Sequence, residues 1–451
     1  MTPFILGSPA RGEHFYGRAD TLSSLMQNRW TWLCAQRRIG KTSVLYEFER
    51  QARAAGKTPL LFDLAFVPTR KASGAELFRR FVEQHLRNQG PLAAAGIDIA
   101  GFSALEPADK FGALCDILIE RGQQLVLIWD EAERLIDIED KEPGFLEHLR
   151  SVLQGVPGLQ FVICATQHLC ELYGRSGRVS SFLATFTFLP MGGLDDASAR
   201  DLLLGQHTGG WLEALPEEIV QAAVEFAGGH PLVLQEIGAR LGTLVGYKGA
   251  KANNQHLRAA IDYLTGNPNH RAIFQDDFSR LSAPQQTVLS ALCLSQKSLT
   301  IDQLASTTSL PAAAIEDALC FLANYGYINT GPPVSLSFRF YRRVRPEHAP
   351  PPLTDPKKVD RLARSLDSDN SLGSEARPTP TWVRQLLDKK LRTNSELDAF
   401  CIDYFPIVHR RFTDGMDRIA KVNILLQFAE CKEILSCLDG DRSEDRTPPR
   451  R

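Results

Sequence analysis

Ala35-Gln36-Arg37-Arg38-Ile39-Gly40-Lys41-Thr42 has the spacing of a phosphate-binding loop, with alanine where glycine usually opens the pattern. Backbone N–H groups in such a loop turn inward around an anion. The helix that follows offers the positive end of its dipole to the same anion. Gly40 lets the backbone approach closely, and Lys41 brings a point charge to the β- and γ-phosphates of a nucleotide. The Thr42 hydroxyl suits Mg²⁺. Ala35, Arg38, Ile39 and Ser43 complete the expected cradle. Alanine at 35 is the smallest departure from the pattern, although it disfavours a positive φ there.

A second set of groups follows in Leu125-Val126-Leu127-Ile128-Trp129-Asp130-Glu131, an apolar run tipped by two carboxylates. Beside a phosphate-binding loop, Asp130 would share Mg²⁺ with Thr42, and Glu131 would polarise an attacking water. Phe161–Ala165 is another apolar run, and it ends in Thr166. That hydroxyl can reach a γ-phosphate or the lytic water, and a strand-end threonine capping a turn fits equally well. Lys41, Glu131 and Thr166 are therefore the candidate catalytic residues, with ATP or ADP and Mg²⁺ as cofactors.

These residues need a scaffold that brings strand ends to one edge. Trp30–Cys34 reads as a strand, and a helical pattern runs from Ser43 to about Ala55. Further strands are expected at Pro59–Ala65, Gln124–Trp129 and Leu159–Ala165. Helices are expected at Ala75–Gln89, Lys110–Arg121 and Gly144–Gln154. Continuous apolar strands alternating with helices predict a parallel α/β sheet. From about Gly192 the strand signal fades, and Ala197–Leu204, Glu217–Ala227 and Leu232–Leu244 read as helices. Phe278–Leu294, with Ser282 as a cap, then Ile301–Ser306 and Pro311–Tyr325, precede two β-like runs at Tyr327–Asn329 and Ser335–Tyr341. That succession is a winged-helix pattern. Residues 346–380 are rich in proline, serine and aspartate and read as a linker. Thr381–Leu438 reads as a small helical bundle, and Asp439–Arg451 as a disordered tail.

Composition sets outer bounds. The 451 residues are 43% hydrophobic and 23% charged, ordinary for a globular chain of about three domains. A formal charge of −2 gives no global attraction to nucleic acid. The nine cysteines include no C-x₂-C pair, and Cys34, Cys115 and Cys164 sit in apolar runs as small core residues. No run is long enough to span a bilayer, so no membrane partner and a cytoplasmic location are expected.

Several of these motifs together resemble the STAND ATPases, AAA+-related switch proteins of signalling and defence, in their prokaryotic archaeal-ATPase-like branch. The resemblance rests on Tyr16-Gly17-Arg18, Arg37–Ser43, the Asp130-Glu131 strand, and Gly229-His230-Pro231 followed by Leu232-Val233-Leu234-Gln235. It spans roughly residues 13–345. It implies that Gly17, Arg18 and Pro231 contact the nucleotide. It also implies a P-loop NTPase core over 1–190, a helical lid over 191–275 and a winged helix over 276–345. Arg150, Arg175 and Arg178 are candidates for an arginine finger.

A second resemblance covers residues 381–440, where Leu391–Pro406, Arg410–Phe412, Gly415–Arg418 and Lys421–Leu426 look like effector-associated domain 1, a death-like adaptor. Leu397, Phe400, Cys401, Phe405, Phe412, Leu425 and Leu426 would be its core. Asp398, Asp403, Asp417, Arg418 and Lys421 could form a pairing surface. Together the resemblances imply an ATP-dependent switch of a bacterial conflict or signalling system. Such a switch hydrolyses ATP slowly, forms nucleotide-dependent homo-oligomers and recruits an effector carrying a matching domain. The alternative is a DNA-binding AAA+ ATPase of origin-recognition or transposition-regulator type. Arg339, Arg342, Arg343 and Arg345 favour that reading. Helix Pro311–Tyr325, which has Glu316 and Asp317 but no lysine or arginine, opposes it.

Overall fold

The computed structural model describes residues 4–344 except 87–90, 95, 97–99, 174–181, 211, 213–214, 247–251, 296 and 330–332; beyond these it describes 387, 390–391, 393–409, 412, 418, 421–422, 425, 434 and 437–438. The chain divides into two compact units, Met1–Pro356 and Lys357–Arg451. The expected linker 346–380, the tail 441–451, and Arg175, Arg178, Arg345, Asp417 and Leu426 lie outside the described residues.

The first unit is built on five parallel strands: β1 (Trp30–Cys34), β2 (Thr58–Asp63), β3 (Leu125–Asp130), β4 (Gln160–Ala165) and β5 (Thr187–Pro190). Their order is β2-β3-β4-β1-β5. β1, β3 and β4 are buried at every position, as strands covered on both faces must be. Edge-to-face aromatic contacts knit one side of the sheet, with Trp129 and Phe161 ring centroids 4.9 Å apart and Phe111 and Trp129 5.5 Å apart. Helix Lys41–Ala54 turns Val44, Leu45, Phe48 and Ala52 inward, the i, i+4, i+8 stripe that seats its N-terminus above the end of β1.

The fifth strand was not anticipated. Thr-Phe-Leu-Pro is short, half-exposed and ends in proline, so it shows neither alternation nor an apolar run. Helix Ala19–Gln27 was also missed. So were Arg134–Lys141, Asn254–Gly266 and Pro268–Ser279.

After β5 the first unit is helical. Asp196–Leu204, Glu217–Ala227 and Pro231–Val245 fall close to the predicted spans. The predicted helix Phe278–Leu294 is in fact two. One ends at Ser279, and the next runs Ala283–Leu294, with Gln285 accepting from the Ser282 N–H at 2.9 Å. Pro284, which lacks an N–H, fits a first turn and not a helix interior. The predicted strand Ser335–Tyr341 shrinks to β7 (Ser335–Leu336), paired antiparallel with β6 (Ile328–Asn329), and Tyr341 opens a helical turn. Burial alternates through Leu336, Phe338 and Phe340, and breaks at Tyr341, which is buried as well.

Gly228 and Gly229 sit where the helical segments meet. A Cβ on Gly229 would lie 2.1 Å from the Leu194 carbonyl oxygen, and its φ is +78°. Gly229→Ala is therefore expected to destabilise the first unit by about 3 kcal/mol, read by chemical denaturation, because strain and backbone overlap add. An unchanged midpoint would show that this close approach is not required.

In the second unit, helix Asn394–Tyr404 begins at Thr393, whose backbone N–H donates to Glu396 at 2.8 Å while its hydroxyl accepts from the Glu396 N–H at 3.1 Å. Leu387, Leu397, Phe400, Cys401, Phe405, Val422 and Leu425 form a core.

Candidate functional site

The loop Ala35–Gly40 joins the end of β1 to helix Lys41–Ala54. Its turn is made by two left-handed residues, Arg38 at φ +60° and Gly40 at φ +99°. Ala35 is not among them, so alanine costs nothing at that position. Lys41 is buried, and its ammonium donates to the carbonyls of Ala35 at 3.3 Å and Gln36 at 3.1 Å. Burial opposes its charge, yet Cys164 together with the carboxylates of Glu133, Glu131 and Asp130 outweighs that and holds its pKa above the ordinary value. The lysine is thus a fixed cation at a helix N-terminus.

Thr42 donates its hydroxyl to Asp130 Oδ2 at 2.6 Å, across a sequence separation of 88 residues. The loop and the acid-tipped strand therefore meet at one edge of the sheet. Asp130 also accepts from the Glu131 N–H at 3.0 Å. Glu131 is a left-handed non-glycine residue, φ +52°, which projects it off the strand end. Burial, with the repulsion of Glu133 adding, raises its carboxyl pKa above the usual value.

Thr166 accepts from the His168 N–H at 3.4 Å, the contact of a strand-end threonine capping a turn. Its backbone N–H and its hydroxyl both donate to Glu133 Oε1 at 2.5 Å. Glu133 carried no signal in the sequence, since its role depends on β4 lying beside β3.

A cavity of about 410 Å³ opens over this edge. Of the anticipated residues, Arg18, Arg38, Ile39, Gly40, Lys41, Thr42, Ser43, Glu131, Thr166 and Pro231 line it. Ala35, Gly17 and Asp130 do not; Asp130 reaches it through Thr42. The wall also contains Phe15, Leu194 and Leu202, which the sequence did not reveal, and Tyr16 and Gln235, which lie in the quoted motifs but were not assigned to the nucleotide. The polar end lies at the loop, and the apolar end lies between the N-terminal segment and helix Pro231–Val245.

Two expected nucleotide contacts also hold the scaffold together. The Arg18 guanidinium donates to the carbonyls of Gly192 at 2.7 Å, Gly193 at 3.0 Å and Ile39 at 3.1 Å. Burial lowers its pKa to about 10. The Ser43 hydroxyl accepts from the Ala10 N–H at 2.9 Å, stitching the N-terminal segment over the loop.

The loop is gripped from the far end of the unit as well. Gln36 donates to the Tyr325 carbonyl at 3.1 Å and accepts from the Tyr341 hydroxyl. The Arg37 N–H donates to Asp277 Oδ2 at 3.1 Å, and its guanidinium pairs with Asp276 at 3.0 Å and Asp277 at 3.4 Å. His230 sits among Phe274, Phe338 and Phe340, with ring centroids 5.2 to 5.7 Å away. Burial, with the nearby Arg18 charge adding, pushes its pKa down to about 3, so the ring is neutral near pH 7.

No protein-family model and no curated protein matches this chain. A Walker-type ATPase of Pyrococcus abyssi matches with a TM-score of 0.54 at 19% identity, over 76% of this chain and 99% of its own. The fold is that of a Walker-type ATPase. The likeness covers the five-stranded parallel sheet and the helices around it. Two other solved structures align at lower scores. The ORC2 protein of Aeropyrum pernix, as its ADPNP–ADP complexes, gives 0.45 at 14% identity over 81% of this chain and 97% of its own. The ORC1 protein of Aeropyrum pernix in complex with DNA gives 0.36 at 16% identity over 77% and 94%.

Proposed function

We propose that this chain binds ATP with Mg²⁺ in the cavity above the sheet edge and uses the nucleotide as a STAND-type switch. The observation that carries the proposal is the 2.6 Å hydrogen bond from Thr42 to Asp130, beside the fixed cation of Lys41. A hydroxyl and a carboxylate in contact are hard oxygen donors of the kind Mg²⁺ takes. Among the described residues, no cluster of three or more His, Cys, Asp or Glu side chains could hold a metal unaided. Mg²⁺ would accordingly be held jointly by Thr42, Asp130 and phosphate oxygens, and when bound it supplies charge to the β- and γ-phosphates. Lys41 holds the same phosphates. Glu131 stands on the cavity wall as the group to take a proton from water. The apolar end, with Pro231 on one side and Gly17-Arg18 close by, receives the base.

On this reading residues 191–275 are the lid and 276–345 the winged helix. The grip of Tyr325, Tyr341, Asp276 and Asp277 on Gln36 and Arg37 supports coupling between them and the nucleotide. Residues 381–440 are the adaptor that recruits an effector. Lys421 is paired with Asp398 at 2.9 Å, and Arg418 donates to the Thr393 carbonyl at 2.9 Å. These charges hold the unit together, which leaves exposed Ile402, Asp403 and Tyr404 as the better pairing surface. Titration calorimetry of the full chain with ATP and Mg²⁺ tests the core of the proposal. Saturable binding lost on chelation supports it, and absence of binding rejects it.

The DNA-binding alternative is weaker. Arg339 is paired with Glu225 at 2.9 Å and Arg343 with Asp262 at 2.8 Å, which consumes charge that phosphate contacts would need. Among the described residues no helix is long and apolar enough to cross a membrane.

A further inference from the structure

The apolar end of the cavity contains one polar group that its own fold leaves unanswered. Gln235 lies one turn into helix Pro231–Val245, and its Oε1 is buried without a hydrogen-bond partner. A buried carbonyl oxygen without a donor is disfavoured, and a ligand that brings a donor relieves it. Gln235 lines the main cavity, and it also lines a small recess that adjoins the same wall at Tyr16 and Leu202. Around it stand the rings of Phe15 and Tyr16 and the side chains of Leu202 and Leu232. This end of the wall sets the Gln235 amide among apolar and aromatic side chains beside His14, well away in sequence from the cluster around Lys41.

We propose that Gln235 is the base-selecting residue, accepting the 6-amino group of adenine and so discriminating ATP from nucleotides with a 6-oxo or unsubstituted purine. The inference rests on the nucleotide reading above and adds to it the residue that reads the base. The chemistry fits an adenine edge. That edge places an amino donor beside a ring-nitrogen acceptor, and a glutamine amide offers the complementary acceptor and donor in one plane. A 6-oxo purine sets its oxygen against Oε1. An unsubstituted purine leaves Oε1 as unpaired as in the free protein, and a site built around a hydrogen bond rejects a ligand lacking it. Pro231, one turn earlier on the same helix, faces the same cavity, so lid closure would bring the amide and the apolar wall onto the base together.

The test is competition binding on the full chain with Mg²⁺, using ATP, GTP, purine riboside triphosphate and inorganic tripolyphosphate as probes. Wild type is expected to bind ATP about ten-fold more tightly than purine riboside triphosphate. In Gln235→Leu that ratio falls to about one, while purine riboside triphosphate and tripolyphosphate bind as in wild type. Unaltered binding of those two ligands also shows that the variant is folded. A wild type that does not distinguish the nucleotides, or a variant that keeps the ten-fold ratio, overturns the inference and leaves the phosphate site standing. Failure of every phosphate ligand to bind wild type overturns the nucleotide reading itself.

Discussion

Lys41→Ala should weaken Mg²⁺–ATP binding by about a hundred-fold or more. Lys41 is buried, its ammonium is fixed by the carbonyls of Ala35 and Gln36, and neighbouring carboxylates keep it charged. Removing one partner of a buried charge pair costs about 2–5 kcal/mol, and each 1.4 kcal/mol is ten-fold in affinity. In the free protein the variant also leaves Glu131, Glu133 and Asp130 without their shared cation, so some loss of thermal stability is expected alongside. Calorimetry on wild type and variant reads the first effect, and ligand-induced stabilisation reads it independently. Equal affinity in the two proteins would mean that the nucleotide, if bound, lies elsewhere.

Glu131→Gln should leave binding within a few-fold and lower ATP turnover by roughly 10²–10⁴-fold, the usual contribution of a general base. The distinction between binding and turnover is what separates this residue from Lys41. The pH profile carries the sign. Burial first, and then the repulsion of Glu133, raise the Glu131 pKa above its ordinary value of 4.5, with Lys41 opposing. A base must be deprotonated to act. Wild-type turnover should therefore fall as pH drops through the raised value, at a higher pH than an unperturbed carboxyl would give. Glu133→Gln removes the repulsion and should move that limb toward lower pH. Steady-state phosphate release across pH 4 to 8 measures both (a range set about the carboxyl values). A Glu131→Gln protein that still signals while failing to hydrolyse would indicate that nucleotide occupancy alone sets the switch.

The segments legible in sequence were those governed by local rules. Gly40-Lys41-Thr42 and the run Leu125–Asp130 showed themselves because a loop around an anion and a doubly buried strand each impose a residue pattern over a few positions. The cap at Ser282 was readable for the same reason, although the break just before it was not. Strand β5 escaped because an edge strand that is half-exposed needs no apolar run. Arg18 was singled out for the nucleotide, yet its guanidinium also staples three backbone carbonyls that no spacing could have announced.

Sequence by itself determined that a phosphate-binding loop precedes a helix, that an acid pair ends a buried strand, and that the chain alternates strands and helices before becoming helical. Only the tertiary structure decided that Thr42 meets Asp130, that Glu133 takes Thr166, that Asp277 and Tyr341 hold the loop, and that Gln235 lines the cavity with its buried oxygen unpaired. The division has a physical cause. Backbone dihedrals and side-chain periodicity act over a turn or a strand, whereas the partner of a buried polar group is chosen by how whole elements pack, often hundreds of residues apart.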